Sequence, residues 1–367
     1  MSTTAVRPPR AAESRPARSS LTAGRLPKWM PWALLGLSAL IGIVIFAVLN
    51  IGNELADFNI AGATVVAAVV FAIGLVTLSA IVESRRHAVN RLATVVVSIA
   101  FLIVLLPLVS LLWTVVANGV ARFDSTFFSW TMRSVVGEGG GALHAIWGTL
   151  LITGVAALIS VPIGLMTSIY LVEYGRGRLA KSITFFVDVM TGIPSIVAGL
   201  FIVALFALLF GPGLNTGFMG ALALSVLMIP VVVRSSEEML RLVPNELREA
   251  SYALGVPKWL TILKVVLPTS IAGITTGIML SVSRVIGETA PLLLTAGFTN
   301  SLNMNLASQP MMTLPVFVFD QFQNPGTNID AALQRAWAGA LTLIIIVMVL
   351  NLVARFVAKK FAPKFGR

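Results

Sequence analysis

The sequence predicts an all-α membrane protein that crosses the bilayer eight times. Of its 367 residues, 57% are hydrophobic and only 11% are Asp, Glu, Lys or Arg, whereas about 25% of the residues in an ordinary soluble domain are charged. A helix needs ~20 mostly apolar residues to cross a bilayer. Such runs occur at about 31–49, 60–82, 92–117, 142–172, 182–210, 216–234, 265–288 and 335–356, and we expect each to form one span.

The basic residues indicate how these spans are oriented. If the N-terminus is cytoplasmic, 22 of the 26 Lys and Arg residues fall in segments on the cytoplasmic side, which is the usual bias of membrane proteins. Arg122, Arg133 and Arg335 fall in outer segments, and Arg284 lies within an apolar run. The sequence therefore predicts cytoplasmic termini, and it explains most of the net charge of +11 as topology.

The composition disfavours several kinds of enzyme. Without cysteine there is no disulfide, thiolate metal site or cysteine nucleophile. Only His87 and His144 remain as ligands for zinc or haem, and we expect each to lie at a surface or an interface. None of the seven lysines follows a glycine, so the lysine of a Walker A loop is missing. We expect this chain to bind no cofactor and to carry no ATPase site.

Two predicted outer loops are long. The first, at about 118–141, contains several aromatic residues and ends in a flexible run of three glycines at 139–141. The second, at about 299–334, contains Pro315 and Asp320. Loops of this length are often ordered or functional. Docking of an external partner and simple connection both remain open.

The cytoplasmic segment 235–264 predicts two short helices joined by a corner. Pro244 is suited to the first turn of the first helix, Gly255 to a left-handed cap at its end, and Pro257 to the change of direction that follows. We call residues 244–261 the knuckle. Four of its positions recur at helical spacing and predict one weakly apolar face that fits a partner's groove: Leu247, Ala250, Ser251 and Leu254.

The knuckle resembles a known motif. Glu249-Ala250 is followed by Gly255 and, ten residues later, by Val265-x-Leu267-Pro268. This pattern resembles the EAA loop of ABC-importer permeases, with Ser251 where a second alanine is usual and Val265 where isoleucine is usual. The resemblance implies that the knuckle couples a permease to a cytosolic ATPase, through Glu249, Ala250, Ser251, Leu254, Gly255 and Pro257.

A second segment narrows the resemblance. Residues 283–291 read Ser-Arg-Val-Ile-Gly-Glu-Thr-Ala-Pro and resemble the R-x-x-GETAP segment of phosphate-importer permeases of the PstA type. Gly148-Thr149-Leu150 and the Gly-Ile-Pro-Ser of 192–195 also fit that subfamily. The resemblance covers about 92–356 and implies the six-helix core of a type I ABC-importer permease. Outside it lie a disordered basic tail at 1–28, two additional N-terminal transmembrane helices at 29–91 and a basic tail at 357–367.

The resemblance also implies an assembly at the cell membrane. It pairs the chain with a homologous permease as a heterodimer, two ATPase subunits that bind ATP and magnesium, and an external phosphate-binding protein. No nucleic-acid partner is expected. Two alternatives stay open: a permease for another oxyanion, such as molybdate or sulfate, and an ion-driven secondary transporter or channel.

Arg284 and Glu288 are the main candidates for a transport path. They lie in an apolar run from 265 to 298 that is ~50 Å long as a helix, too long for one straight span. A break near Pro291 would place them well inside the membrane, where charged residues usually face a cavity or a partner. Four residues apart on a helix, they would share one face. A guanidinium matches two phosphate oxygens, whereas a structural ion pair is the competing interpretation.

The other candidates for the path are weaker. Arg234, at the inner end of span six, is either a second anion contact or a topological anchor, and Asp188 is an acid in span five whose partner the sequence does not identify. Ser195 and Thr289 are candidate hydroxyl contacts. An ionised Glu288 could also select for phosphate, which still carries a proton at neutral pH, over the fully deprotonated sulfate.

Overall fold

The computed structural model describes residues 26–49 and 59–361, and all of the regular secondary structure in this part of the chain is helical. The predicted disordered tail 1–28 therefore lies almost wholly outside the described residues. The α-helices are α1 (Met30–Leu49), α2 (Ile60–Val82), α3 (Arg85–Gly119), α4 (Ser125–Ser129), α5 (Leu143–Ile169), α6 (Arg178–Thr191), α7 (Ser195–Phe210), α8 (Gly217–Arg241), α9 (Asn245–Ala253), α10 (Lys258–Thr261), α11 (Leu267–Val285), α12 (Ala290–Thr295), α13 (Leu314–Gln323) and α14 (Ile329–Phe361).

The predicted spans are confirmed as helices, with one change in shape. Seven helical segments of the described chain are long and apolar enough to cross a membrane, and a bent pair of helices makes up to eight. Helix α3 begins seven residues before the predicted span 92–117, and α14 continues beyond the predicted span 335–356 to Phe361. The first five residues of the predicted tail 357–367 are therefore helical.

The fifth predicted span, 182–210, is a bent pair of helices. Helices α6 and α7 meet at an angle of 109° across residues 192–194. Gly192 caps the end of α6, and Pro194 precedes α7 with an extended backbone. Proline lacks the N–H that would continue the helix, and it disfavours helical backbone at the residue before it. The Gly-Ile-Pro sequence therefore ends one helix and redirects the next.

The described residues up to Leu111 form one compact unit, in which a carboxylate with little solvent exposure holds the turn between α2 and α3. The Glu83 carboxylate, between α2 and α3, accepts hydrogen bonds from the Leu26 N–H (3.0 Å), the Ser79 hydroxyl (2.6 Å) and both Nε and Nη2 of Arg91 (2.9 and 2.8 Å). The hydrogen bonds from Arg91 outweigh the cost of desolvation and lower the pKa of Glu83 to about 2.

The described residues from Leu112 onward form the second unit, built around a close pair of helices, α5 and α8. Small residues let their backbones approach: a Cβ atom at Gly164 would lie 2.7 Å from a methyl carbon of Val232. The Ser225 hydroxyl donates to the Ala221 carbonyl at 2.8 Å and contacts the Ala156 carbonyl at 3.4 Å. Helices α6, α7, α11 and α12 also pack on α8, so α8 is the centre of this unit.

The long loop at 118–141 is fixed by two arginines. Arg335, predicted in an outer loop, lies within α14, is buried, and donates to the carbonyls of Gly137 (2.8 Å) and Gly139 (3.1 Å). Arg122 donates to the carbonyl of Gly140 at 2.9 Å. The carbonyls of Gly139 and Gly140, in the glycine run that we expected to be flexible, thus accept hydrogen bonds from guanidinium groups. The predicted loop at 299–334 likewise contains helix α13.

His144 differs from its prediction as a surface or interface residue. It is 1% exposed in the second unit, and its ring packs edge-on against Phe317 with the centroids 5.7 Å apart. Its position at the start of α5 suggested a helix end in contact with water, but α13 covers it. His87 is exposed as predicted.

Candidate translocation path and coupling surface

The charged segment lies at a break between two helices. Helix α11 ends at Val285, Ile286 caps it, and the Glu288 N–H donates to the Val285 carbonyl at 3.1 Å. The next helix, α12, begins at Ala290. The break predicted near Pro291 is therefore present, a few residues earlier than expected.

This break separates Arg284 from Glu288. Arg284 is exposed in the last turn of α11, and Glu288 is half-buried in the irregular segment that follows. The expectation that they share a helical face is wrong, because the helix ends between them. Among the described residues the two form no ion pair within 4.0 Å. The interpretation of a self-neutralising structural pair therefore has no support in this structure.

The two candidate hydroxyl residues, Ser195 and Thr289, lie near the contact between α7 and α12. Helices α7 and α12 pack closely, since a Cβ atom at Gly199 would lie 2.8 Å from the Cα atom of Pro291. Ser195 lies one turn before Gly199 on the same face of α7, and Thr289 directly precedes α12. Both are half-buried. Ser195 and Thr289 thus lie on two elements that pack together, α7 and the start of α12, and Glu288 directly precedes Thr289 in the chain.

Arg234 and Asp188 form a separate site. Arg234 of α8 pairs with Asp188 of α6 and with the buried Glu237 at 2.9 Å, and Glu237 also accepts from Arg241 at 2.6 Å. The partner that the sequence did not identify for Asp188 is thus Arg234. Glu237 was missed by sequence reasoning, although its positions three and four residues from the two arginines are a recognisable signal of helical ion pairs.

The knuckle has the predicted corner but a divided helix face. Gly255 adopts a positive φ of 76° at the end of α9, as expected of a left-handed cap, and Pro257 caps α10. Leu247 and Ser251 face inward, and the Ser251 hydroxyl lies 2.8 Å from that of Thr261. The single apolar face is therefore wrong: these two residues anchor the knuckle. Residues that stay exposed on it are Glu249, Ala250, Leu254, Gly255 and Pro257.

These features define a class of protein: a helical protein with several helices long and apolar enough to cross a membrane and a knuckle that keeps part of its surface exposed. A family model described as binding-protein-dependent transport system inner membrane component matches residues 160–367, more than half of the chain. The chain belongs to this family. Because the chain belongs to this family, the alternative prediction of an ion-driven secondary transporter or channel is wrong.

Curated relatives narrow the comparison. The chain is 49% identical over 282 residues to a protein named phosphate transport system permease protein PstA 1 from Mycobacterium tuberculosis (strain CDC 1551 / Oshkosh), which covers 75% of this chain and 91% of the relative. It is 37% identical over 279 residues to the phosphate transport system permease protein PstA of Yersinia pestis, covering 76% of this chain and 92% of the relative. About a quarter of this chain has no counterpart in either alignment.

A solved structure supports the fold. In inward-facing structures of the MetNI methionine ABC transporter, one chain matches with a TM-score of 0.50 and 20% identity, over 60% of this chain and 96% of that chain. At this identity the likeness concerns the fold alone. The predicted all-α fold with an ABC-importer permease core is thereby confirmed.

Proposed function

We propose that the chain is the permease subunit of an ATP-driven importer of inorganic phosphate. The observation that carries this proposal is the 49% identity to a phosphate transport permease over 91% of that relative. The chain's own residues add an exposed arginine, Arg284, that has no carboxylate partner in the described part of the second unit. Anion transport gives that cation a role.

In the proposed path Arg284 binds the anion and Glu288 selects its protonation state. A guanidinium donates two parallel hydrogen bonds to two phosphate oxygens, which an ammonium group does not reproduce. An ionised Glu288 accepts a hydrogen bond from the remaining phosphate proton and repels an anion without one. Ser195 and Thr289 supply neutral hydroxyls to the same path. Arg234 is already paired with two carboxylates, which favours a structural role for it over anion binding.

The proposed partners follow from the family. A homologous permease completes the path as a heterodimer, two ATPase subunits bind ATP and magnesium and dock on the knuckle, and an external binding protein delivers phosphate. The chain itself contributes no ATPase site and no cofactor. We place both termini in the cytoplasm because 22 basic residues then lie on that side.

The test is uptake of labelled phosphate into vesicles that contain the assembled complex. We expect uptake to require ATP and to resist competition by sulfate and molybdate. Uptake that either competitor abolishes at equal concentration would favour the alternative of another oxyanion. A gentle detergent extract should also contain an ATPase and a second multi-span protein.

Two substitutions at Arg284 separate charge from geometry. Arg284→Ala should reduce uptake by ~10- to 100-fold, the value of a charge-assisted hydrogen bond of about 1.5–3 kcal/mol, and Arg284→Lys should recover only part of it. Arg355, another exposed arginine of a long helix, is the matched control, and Arg355→Ala should transport normally. If both Arg284 variants assemble and transport like the wild type, Arg284 does not line the path.

Glu288→Gln tests selectivity. The amide removes the negative charge, so we expect slower phosphate uptake and stronger competition by sulfate. Unchanged phosphate transport and unchanged competition in an assembled complex would contradict the role given to Glu288.

A further inference from the structure

One residue at the end of α5 holds both sides of the knuckle. Arg248 of α9 donates from Nε to the Glu173 carboxylate at 3.0 Å. Lys258, the first residue of α10, donates to the backbone carbonyl of Glu173 and lies 4.8 Å from the ring centroid of Tyr174. The two helices that flank the corner are thus fastened to the same point.

The Arg248–Glu173 pair is shielded from water. Their side chains are only 12% and 5% exposed, so solvent screens the attraction far less than at a surface pair. Arg248 also donates to the carbonyls of Leu240 (3.0 Å) and Val243 (2.6 Å). Because the guanidinium is planar and most of its donors are engaged, the pair is held in one geometry. This contact is a rigid connection.

The helix turns beside this connection are irregular. Residues Tyr170–Tyr174, which continue α5, form a π-helical turn, and Ile262–Val266, between α10 and α11, form another. Widened turns of this kind are uncommon and often occur at functional sites. One π-helical turn thus ends the α5 segment at Glu173 and Tyr174, which contact the knuckle, and the other joins the knuckle to α11.

Helix α5 extends this connection to the opposite end of the unit. Together with its π-helical turn it runs from Leu143 to Tyr174, about 48 Å at 1.5 Å per residue. At the far end, the Thr149 hydroxyl accepts a hydrogen bond of 2.7 Å from the Leu314 N–H at the start of α13. Helix α5 also packs along α8, which carries Arg234. A displacement of Glu173 would therefore shift α5 and the helices that pack on it.

We propose that Glu173 is a positioning residue through which movement of the knuckle reaches α5. The inference rests on the proposed function, since it requires an ATPase that moves the knuckle. Among the described residues, the polar contacts of Glu173 with side chains of the knuckle are with Arg248 and Lys258 and not with its exposed docking residues. Its carboxylate acts through Arg248 and its carbonyl through Lys258.

The test compares ATP hydrolysis and phosphate uptake in vesicles that contain the complete complex. The glutamine of Glu173→Gln keeps the size of the side chain and removes the charge. We expect it to retain the ATPase and to hydrolyse ATP at a rate close to that of the wild type. We expect phosphate taken up per ATP to fall at least about five-fold, the lower end of the range for coupling between sites. Glu238→Gln, on an exposed carboxylate of α8 without an ion-pair partner among the described residues, is the matched control.

Three outcomes would overturn the inference. Uptake per ATP equal to that of Glu238→Gln shows that the connection transmits nothing. Loss of the ATPase from the Glu173→Gln complex shows that Glu173 serves docking. A wild-type complex that takes up no phosphate contradicts the proposed function itself, and this result is obtained before any variant is measured.

A second variant distinguishes transmission from folding. The chain contains no cysteine, so Glu173→Cys combined with Arg248→Cys gives one thiol pair in a complex whose other chains are cysteine-free. We expect poor coupling before treatment and substantial recovery after reaction with a short bis-maleimide, because a covalent link replaces the ion pair. No recovery in the cross-linked complex would contradict the inference even if Glu173→Gln does not assemble.

Discussion

The packing of α5 against the segment before α13 provides a sensitive test of the structure. A Cβ atom added at Gly148 would lie 1.9 Å from the Met312 carbonyl oxygen. Ordinary contact begins at 3.4 Å, so Gly148→Ala requires the two backbones to separate by about 1.5 Å. Because the obstacle is backbone, no side-chain rotation relieves it.

The cost of this separation has two parts. Overpacking of a well-packed interior typically costs ~1–3 kcal/mol. The separation also breaks the adjacent hydrogen bond from the Leu314 N–H to Thr149, and a buried donor without an acceptor costs ~1–3 kcal/mol. We therefore expect Gly148→Ala to lower the free energy of unfolding by ~2–6 kcal/mol.

The same helix offers a matched control. A Cβ atom at Gly154 meets nothing within 4 Å, and alanine is favoured over glycine within a helix by ~0.5–1 kcal/mol. Gly154→Ala should therefore be neutral or slightly stabilising. Unfolding of each variant by SDS titration in mixed micelles measures both effects. If Gly148→Ala unfolds at the same SDS fraction as Gly154→Ala, the close approach of α5 to Met312 is wrong.

Two further predictions concern the turn held by Glu83 between α2 and α3 and the glycine-rich end of the loop at 118–141. The pKa of Glu83 is lowered in the folded chain from 4.5 to about 2, so the contribution of this carboxylate to stability is complete above pH ~4.5 and is lost as the pH falls toward 2. Glu83→Gln should therefore be less stable than the wild type at pH 7. If the difference in SDS unfolding between the variant and the wild type does not shrink at pH 3, this explanation is wrong. Arg335→Lys removes the guanidinium whose Nη1 donates to the carbonyls of Gly137 and Gly139 and whose Nε donates to Gln321, so limited proteolysis should cut at 134–141 several times faster, whereas Arg133→Lys, at an exposed arginine, should leave the rate unchanged; equal rates in both variants would refute this role of Arg335.

The sequence was sufficient for features that depend on local chemistry. Apolar runs located the spans, because a helix in a bilayer must present a continuous hydrophobic surface. Gly255 and Pro257 located the corner of the knuckle, since a left-handed cap and a proline act on their immediate neighbours. Gly192 and Pro194 are a similar local signal for the 109° bend before Ser195. The span was located by hydropathy, however, and hydropathy does not indicate a change in helix direction.

Contacts between distant residues could not be predicted in this way. Arg234 and Asp188 are 46 positions apart, and Arg248 and Glu173 are 75 apart; their pairing depends on how α8 and the knuckle pack on other helices. Helical periodicity also misled where the helix ends, as it did for Arg284. An error of a few residues at a helix end changes which side chains share a face.

The arginines of the second unit show why Arg284 remains the main functional candidate. Arg234 pairs with carboxylates, Arg335 binds loop carbonyls, and Arg248 does both. Each of them stabilises the protein and satisfies its own charge. Arg284, one residue from the end of α11, has no such partner in the described chain. A cation in an apolar helix must find its counter-charge elsewhere, because an isolated charge away from water is costly. Phosphate in transit, or a carboxylate of the homologous permease, would supply that counter-charge. The contrast between Arg284→Lys and Arg284→Ala distinguishes the two. Recognition of a pair of phosphate oxygens requires the guanidinium fork, whereas a simple ion pair accepts a lysine.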